Sequence, residues 1–125
     1  MTAKQILIAG GLFGILSVAI GAFGAHGLRE MLMDNGRLDT FDTAVKYQFY
    51  HTLAIIFIGL LMLKIRHKFL TYSAYAMVTG IIIFSGSLYA LCITNIPIFG
   101  TVTPIGGLMF ILGWLFFTLG ASKAL

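Results

Sequence analysis

Histidine is the side chain whose unperturbed proton affinity suits acid–base work at neutral pH, and two histidines of this chain stand in otherwise apolar sequence. His26 lies in GAFGAHGL (residues 21–28) and His51 closes YQFYH (47–51), directly after Tyr47 and Gln48. Hydroxyls follow at Ser85, Ser87 and Tyr89 of FSGSLY (84–89) and at Thr103 of TPIGG (103–107). A histidine near a serine is raw material for nucleophilic catalysis on a lipid. Two histidines with Cys92, or with Met31 and Met33, are raw material for a copper or zinc site. The spacing supports neither. There is no C-x-x-C or H-x-x-x-H, and hydrolytic triads, phosphate loops and carboxylate pairs are missing. Asp39 and Asp42, the nearest carboxylates, are better used at the start of the second apolar stretch. We expect no catalytic residue, no metal and no cofactor.

The elements that must position these groups are set by composition. Of 125 residues, 59% are hydrophobic and only 10% charged, with a mean hydropathy of +1.00. A water-soluble fold of this size could not hide that much apolar surface. Four segments, about 4–25, 44–63, 69–93 and 103–121, each reach the roughly 20 residues that a helix needs to cross the bilayer core. The expected fold is all-α, a single transmembrane four-helix bundle. Lys4 and the small residues around Phe23 resemble a removable signal, but the apolar run is longer than a signal core and reads as a retained span.

Charge sets the expected orientation. Lys4, Lys64, Arg66, Lys68 and Lys123 fall on one side of an even number of spans, and the positive-inside rule makes that side cytoplasmic. All four acidic residues, Glu30, Asp34, Asp39 and Asp42, fall on the other. Both termini are therefore expected inside. The net charge of +4 is accounted for by cations at span ends facing anionic lipid, so no nucleic-acid partner is expected. Cys92 is the only cysteine and reads as a buried thiol.

In the first outer loop, Leu28, Met31 and Leu32 keep helical spacing before an Asn35-Gly36 stop, which predicts a short interfacial helix. Asp39 or Thr40 is expected to cap the second span, with Asp42 in its first turn and paired to Lys46.

Helices in lipid associate through close packing of small residues. Gly10, Gly14, Ser17, Gly21 and Gly24 form one stripe on the first span; Gly106, Gly113 and Gly120 recur every seven residues on the fourth; Ala76, Gly80 and Ser87 mark the third. These faces are expected to meet in a tight bundle.

Helical spacing turns Gln48 and His51 toward the bundle. With the termini inside, the polar motifs of all four spans are expected within about 10 Å of the outer interface. Ser85, Ser87, Tyr89, Thr103 and His26 are then candidate hydrogen-bonding neighbours. His26 requires help, since ideal geometry points it about 200° from the Gly24 stripe unless Gly24 and Gly27 unwind the helix end. Tyr47, Tyr50 and Tyr72 also read as interfacial anchors.

GAFGAHGL, YQFYH, FSGSLY and TPIGG, in this order over four spans, resemble the small membrane protein family catalogued as domain of unknown function 423. The resemblance covers almost the whole chain. It implies a four-helix integral protein of bacterial plasma membranes, and carries no biochemical activity or catalytic residue to transfer.

The expected function is a non-catalytic accessory or assembly module that associates with another membrane protein or with itself. The alternatives are an oligomeric transporter or pore for a small solute or ion, and a metal-binding membrane protein. No Asp, Glu, Lys or Arg lies deep within a span, so the usual ion-coupling groups are lacking.

Overall fold

A computed structural model describes residues 1–125, all helical apart from short turns. Helix α1 spans Ala3–His26, α2 Arg29–Asp34 and α3 Leu38–Met62. Helix α4 (Lys68–Gly80) continues through a π-helical segment, Ile81–Ser85, into α5 (Gly86–Thr94), and α6 spans Ile98–Ala124. Four continuous helices of 24 to 27 residues are therefore long and apolar enough to cross a membrane. At about 1.5 Å per residue each exceeds the hydrocarbon core of roughly 30 Å.

The boundaries have local causes. Thr2 and Gln5 form a reciprocal capping box at the start of α1. The predicted loop helix is present as α2, and Gly36 stops it with φ +67°. Asn95, also left-handed at φ 53°, ends α5. Two spans start earlier than the hydropathy pattern places them. The second begins at Leu38 rather than at 44, capped by Arg37 without a side-chain bond, so neither Asp39 nor Thr40 is the cap. Asp39 occupies the first turn, and Asp42 lies a turn further on, with its carboxylate 2.8 Å from Lys46 Nζ. The fourth span begins just after Pro97 and runs straight through Pro104. Pro104 has no N–H to give Gly100 O four residues back, and the helix continues past that position.

The spans pack in the order α1, α3, α4–α5, α6, with α3 and α4–α5 central and the most buried. The glycine faces of the first and fourth spans consequently do not meet each other. The α1 stripe packs on α3: a Cβ at Gly10 would lie 2.7 Å from Ile56 Cγ1, one at Gly21 3.2 Å from Val45 Cγ1, and one at Gly24 would overlap the Phe41 ring. Ser17 is buried in the same seam. Gly14 is looser, 3.7 Å from Thr52 Cγ2 on the same measure. Gly59 on α3 reciprocates against Leu7.

The α6 stripe packs on the third span. Gly106 sits against the Phe84 backbone so closely that a methyl group has no room. Gly113 faces Met77, Gly120 faces Leu70, and Gly80 on α4 admits the Phe110 ring. Ile6, Ile55, Ile58, Leu70, Met77 and Phe110 fill the core between these seams.

Candidate functional site

Each neighbouring pair of spans is joined by a buried polar side chain, and together these make a ladder from the Asn95 end of the bundle toward its middle. The first rung is Ser85, in the π-helical segment, whose Oγ donates to Ala44 O of α3 at 2.8 Å. A π-turn pairs each amide five residues back and widens the local helix. It lies where α6 comes closest, since Gly106 abuts the Phe84 backbone. The Phe84 ring in turn stacks on Tyr47, centroids 4.8 Å apart. Just beyond, the hydroxyls of Ser87 and Thr103 hydrogen-bond to one another at 2.6 Å, tying α5 to α6.

Gln48 is the central rung. Its Nε2 donates to Phe13 O of α1 at 3.2 Å, and its Oε1 accepts from the Tyr89 hydroxyl at 2.6 Å. Because a carbonyl can only accept, the Phe13 contact fixes which end of the amide points which way. One side chain on α3 thus joins α1 and α5. Ser17 Oγ donates to the same Phe13 carbonyl, 2.7 Å away.

His51 is the next rung along α3, 5% exposed and stacked on the Phe110 ring with centroids 3.5 Å apart and planes 9° from parallel. Its Nδ1 lies 2.7 Å from Tyr47 O, and Trp114 Nε1 lies 3.1 Å from its Nε2. A carbonyl only accepts and an indole N–H only donates, so the geometry demands a neutral imidazole protonated on Nδ1. Both ring nitrogens are occupied. None of the hydroxyls of Ser85, Ser87 or Tyr89 bonds to His51, so no nucleophile–base pair is formed. Ser73 Oγ adds a rung between α4 and α6, donating to Gly113 O at 2.7 Å. Every buried side-chain nitrogen and oxygen of the molecule has a hydrogen-bond partner.

The structure thus brings together Tyr47, Gln48, His51, Ser85, Ser87, Tyr89 and Thr103. Tyr47 takes part through its ring and its backbone carbonyl, while the side chain is 40% exposed. His26 stands apart. It is exposed at the end of α1, because the helix stays regular through Gly24 and Gly27 takes a helical conformation, so the unwinding that would re-aim the imidazole does not occur. Along α3, Gln48 lies about 15 Å and His51 about 20 Å from the first residue, Leu38.

The side chains considered as metal ligands are dispersed. Cys92 is buried against Leu32 and Phe41, with its Sγ 3.8 Å from Arg37 O, while Met33 is exposed. No three His, Cys, Asp or Glu side chains converge on one point.

Ser73, Phe110 and Trp114 are ladder residues that sequence reasoning missed. The signal was available in Trp114, the chain's one tryptophan, which sits well inside a span rather than at an interface where tryptophan usually anchors. Such a placement asks what its N–H bonds to.

Comparison with known proteins gives a consistent picture. The profile described as "Protein of unknown function (DUF423)" matches residues 20–107. The chain is 42% identical over 120 residues to the UPF0382 membrane protein SH2409 of Staphylococcus haemolyticus, covering 96% of this chain and 97% of that one. It is 39% identical over 123 residues to the UPF0382 membrane protein YwdK of Bacillus subtilis, covering 98% and 99%. To the UPF0382 inner membrane protein YgdD of Escherichia coli it is 36% identical over 123 residues, covering 98% and 93%. No solved structure matches.

Proposed function

The chain belongs to the DUF423 family of membrane proteins, and from that premise we propose that it works as a non-catalytic accessory or assembly module of the bacterial cytoplasmic membrane, both termini inside. The observation that carries the reading is the closed bonding of Gln48 and His51: both ends of the amide and both ring nitrogens are engaged by the bundle itself. Groups poised to bind a solute or move a proton need a free lone pair or N–H facing a cavity. These instead fix the register and rotation of helices that lipid alone would leave free to slide.

What remains for interaction is the outside of the bundle. The flanking spans α1 and α6 expose broad apolar surfaces, among them Leu12, Ile15 and Val18 on one and Leu108, Ile111 and Leu115 on the other. Lipid covers such a face in isolation, and a second membrane helix covers it in an assembly. The orientation is supported by Lys64, Arg66 and Lys68 in one short loop, with all acidic side chains at the opposite end.

Native mass spectrometry from mild detergent or nanodiscs tests the reading. The expected result is a defined complex, with another membrane protein or with further copies of this chain. Repeated recovery of a lone monomer contradicts it.

A further inference from the structure

Where α1 begins and the connection from α3 to α4 passes, the structure has an open pocket of about 690 Å³. Lys4, Arg66 and Lys68 line it, together with the hydroxyl residues Thr2 and Thr71. One wall is apolar, formed by Met62, Leu63 and Ile65. No acidic side chain lies at this end of the molecule, where Lys64 and Lys123 add further positive charge. We propose that this pocket binds the phosphate of an anionic phospholipid headgroup, with the acyl chains leaving along the apolar wall.

Three features select that chemistry. The first is charge without compensation: three cations from two separate segments border one cavity, and the only ion pair of the chain, Asp42 with Lys46, is at the far end. Cations brought together with no carboxylate among them raise the local potential and attract an anion.

The second is a set of donors suited to phosphate oxygens. His67 Nδ1 accepts from Phe69 N–H at 3.1 Å as the cap of α4, so the neutral ring carries its proton on Nε2 as a donor in the pocket lining. In the first turn of α1 the capping box engages the amides of Thr2 and Gln5, and those of Ala3 and Lys4 keep their helix-end donor capacity.

The third is position. The pocket opens at the ends of three membrane-spanning helices, where headgroups lie, and basic pockets between spans are suited to anionic lipids. A free inorganic phosphate would use the same cations but not the apolar wall.

The test is lipid retention by the purified full-length protein, measured by native mass spectrometry after exchange into mixed phosphatidylglycerol and phosphatidylcholine. The wild type is expected to retain phosphatidylglycerol preferentially. The Arg66→Gln/Lys68→Gln variant should lose about tenfold or more of that retention, and Lys4→Gln alone should lose part of it. Arg29→Gln/Lys46→Gln removes the same charge at the opposite end and should retain the lipid like the wild type. These side chains are exposed, so unchanged helical content and thermal unfolding in detergent are expected to accompany the loss. Equal retention of the two lipids, equal loss in both double variants, or full displacement by millimolar inorganic phosphate overturns the proposal.

Discussion

Trp114 of α6 donates its indole N–H to Nε2 of His51 on α3, 3.1 Å away, while His51 Nδ1 donates to the Tyr47 carbonyl one turn earlier in its own helix. A histidine buried in a span is ordinarily a reason to look for a ligand or a proton path. Here the imidazole has no bonding capacity left over, and it lies flat on Phe110, which enters the site because Gly80 leaves room for the ring.

Removing the indole donor should therefore cost stability. Trp114→Phe keeps an aromatic ring and leaves Nε2 of His51 without its donor, and we expect a loss of about 0.5 to 2 kcal/mol, the range for interhelical hydrogen bonds in membranes. Denaturant unfolding in detergent, as a double-mutant cycle with His51→Phe, isolates the coupling. Additive effects of the two substitutions would remove the bond from the account.

Gln48 makes a second prediction because it serves two helices. Gln48→Leu leaves the Tyr89 hydroxyl buried without its acceptor, whereas Gln48→Leu/Tyr89→Phe removes both partners of that bond. The double variant should be at least as stable as Gln48→Leu, since unpaired buried groups cost more than absent ones. Thermal unfolding of the two variants decides it, and a double variant clearly less stable than Gln48→Leu counts against the bond.

The glycine seams should differ sharply by position. Gly106→Ala drives a methyl group into the Phe84 backbone, which cannot move aside like a side chain, and should abolish recovery of folded protein. Gly14→Ala places its methyl at ordinary contact distance from Thr52 and gains helix propensity, so it should be neutral or stabilising by up to about 1 kcal/mol. Thermal stability of the two proteins in detergent is the comparison. Similar behaviour of both would mean that the α6 seam is looser than described.

Orientation is checked by thiol labelling in cells. Asp34→Cys should react with an impermeant reagent from outside, and Lys64→Cys only after the membrane is opened, with buried Cys92 silent. The reverse pattern would place the termini outside.

Much of this was legible in the sequence, and the limits follow from what periodicity encodes. Hydropathy marks segments by transfer energy, so four spans were readable. It underestimates helices that project beyond the hydrocarbon, hence the early starts at Leu38 and Ile98. Helical spacing says which side of a helix a residue occupies, so Gln48 and His51 were correctly turned inward. It does not say which neighbour lies there, and the stripes of α1 and α6 were brought together when each packs on a different central span. The π-helical turn at Ile81–Ser85 carries no proline or other mark, and the unwinding at Gly24 and Gly27 on which an inward His26 depends is one the backbone does not make.

The account rests on buried polar groups being committed to one another, and the tautomer of His51 reports this most directly. With histidine labelled by nitrogen-15 in lipid, and His51→Phe used to assign the signal, NMR at neutral pH should show a neutral imidazole protonated on Nδ1 and unprotonated on Nε2. An Nε2-protonated or doubly protonated ring would mean that the Trp114 bond is not made and that His51 faces some other partner.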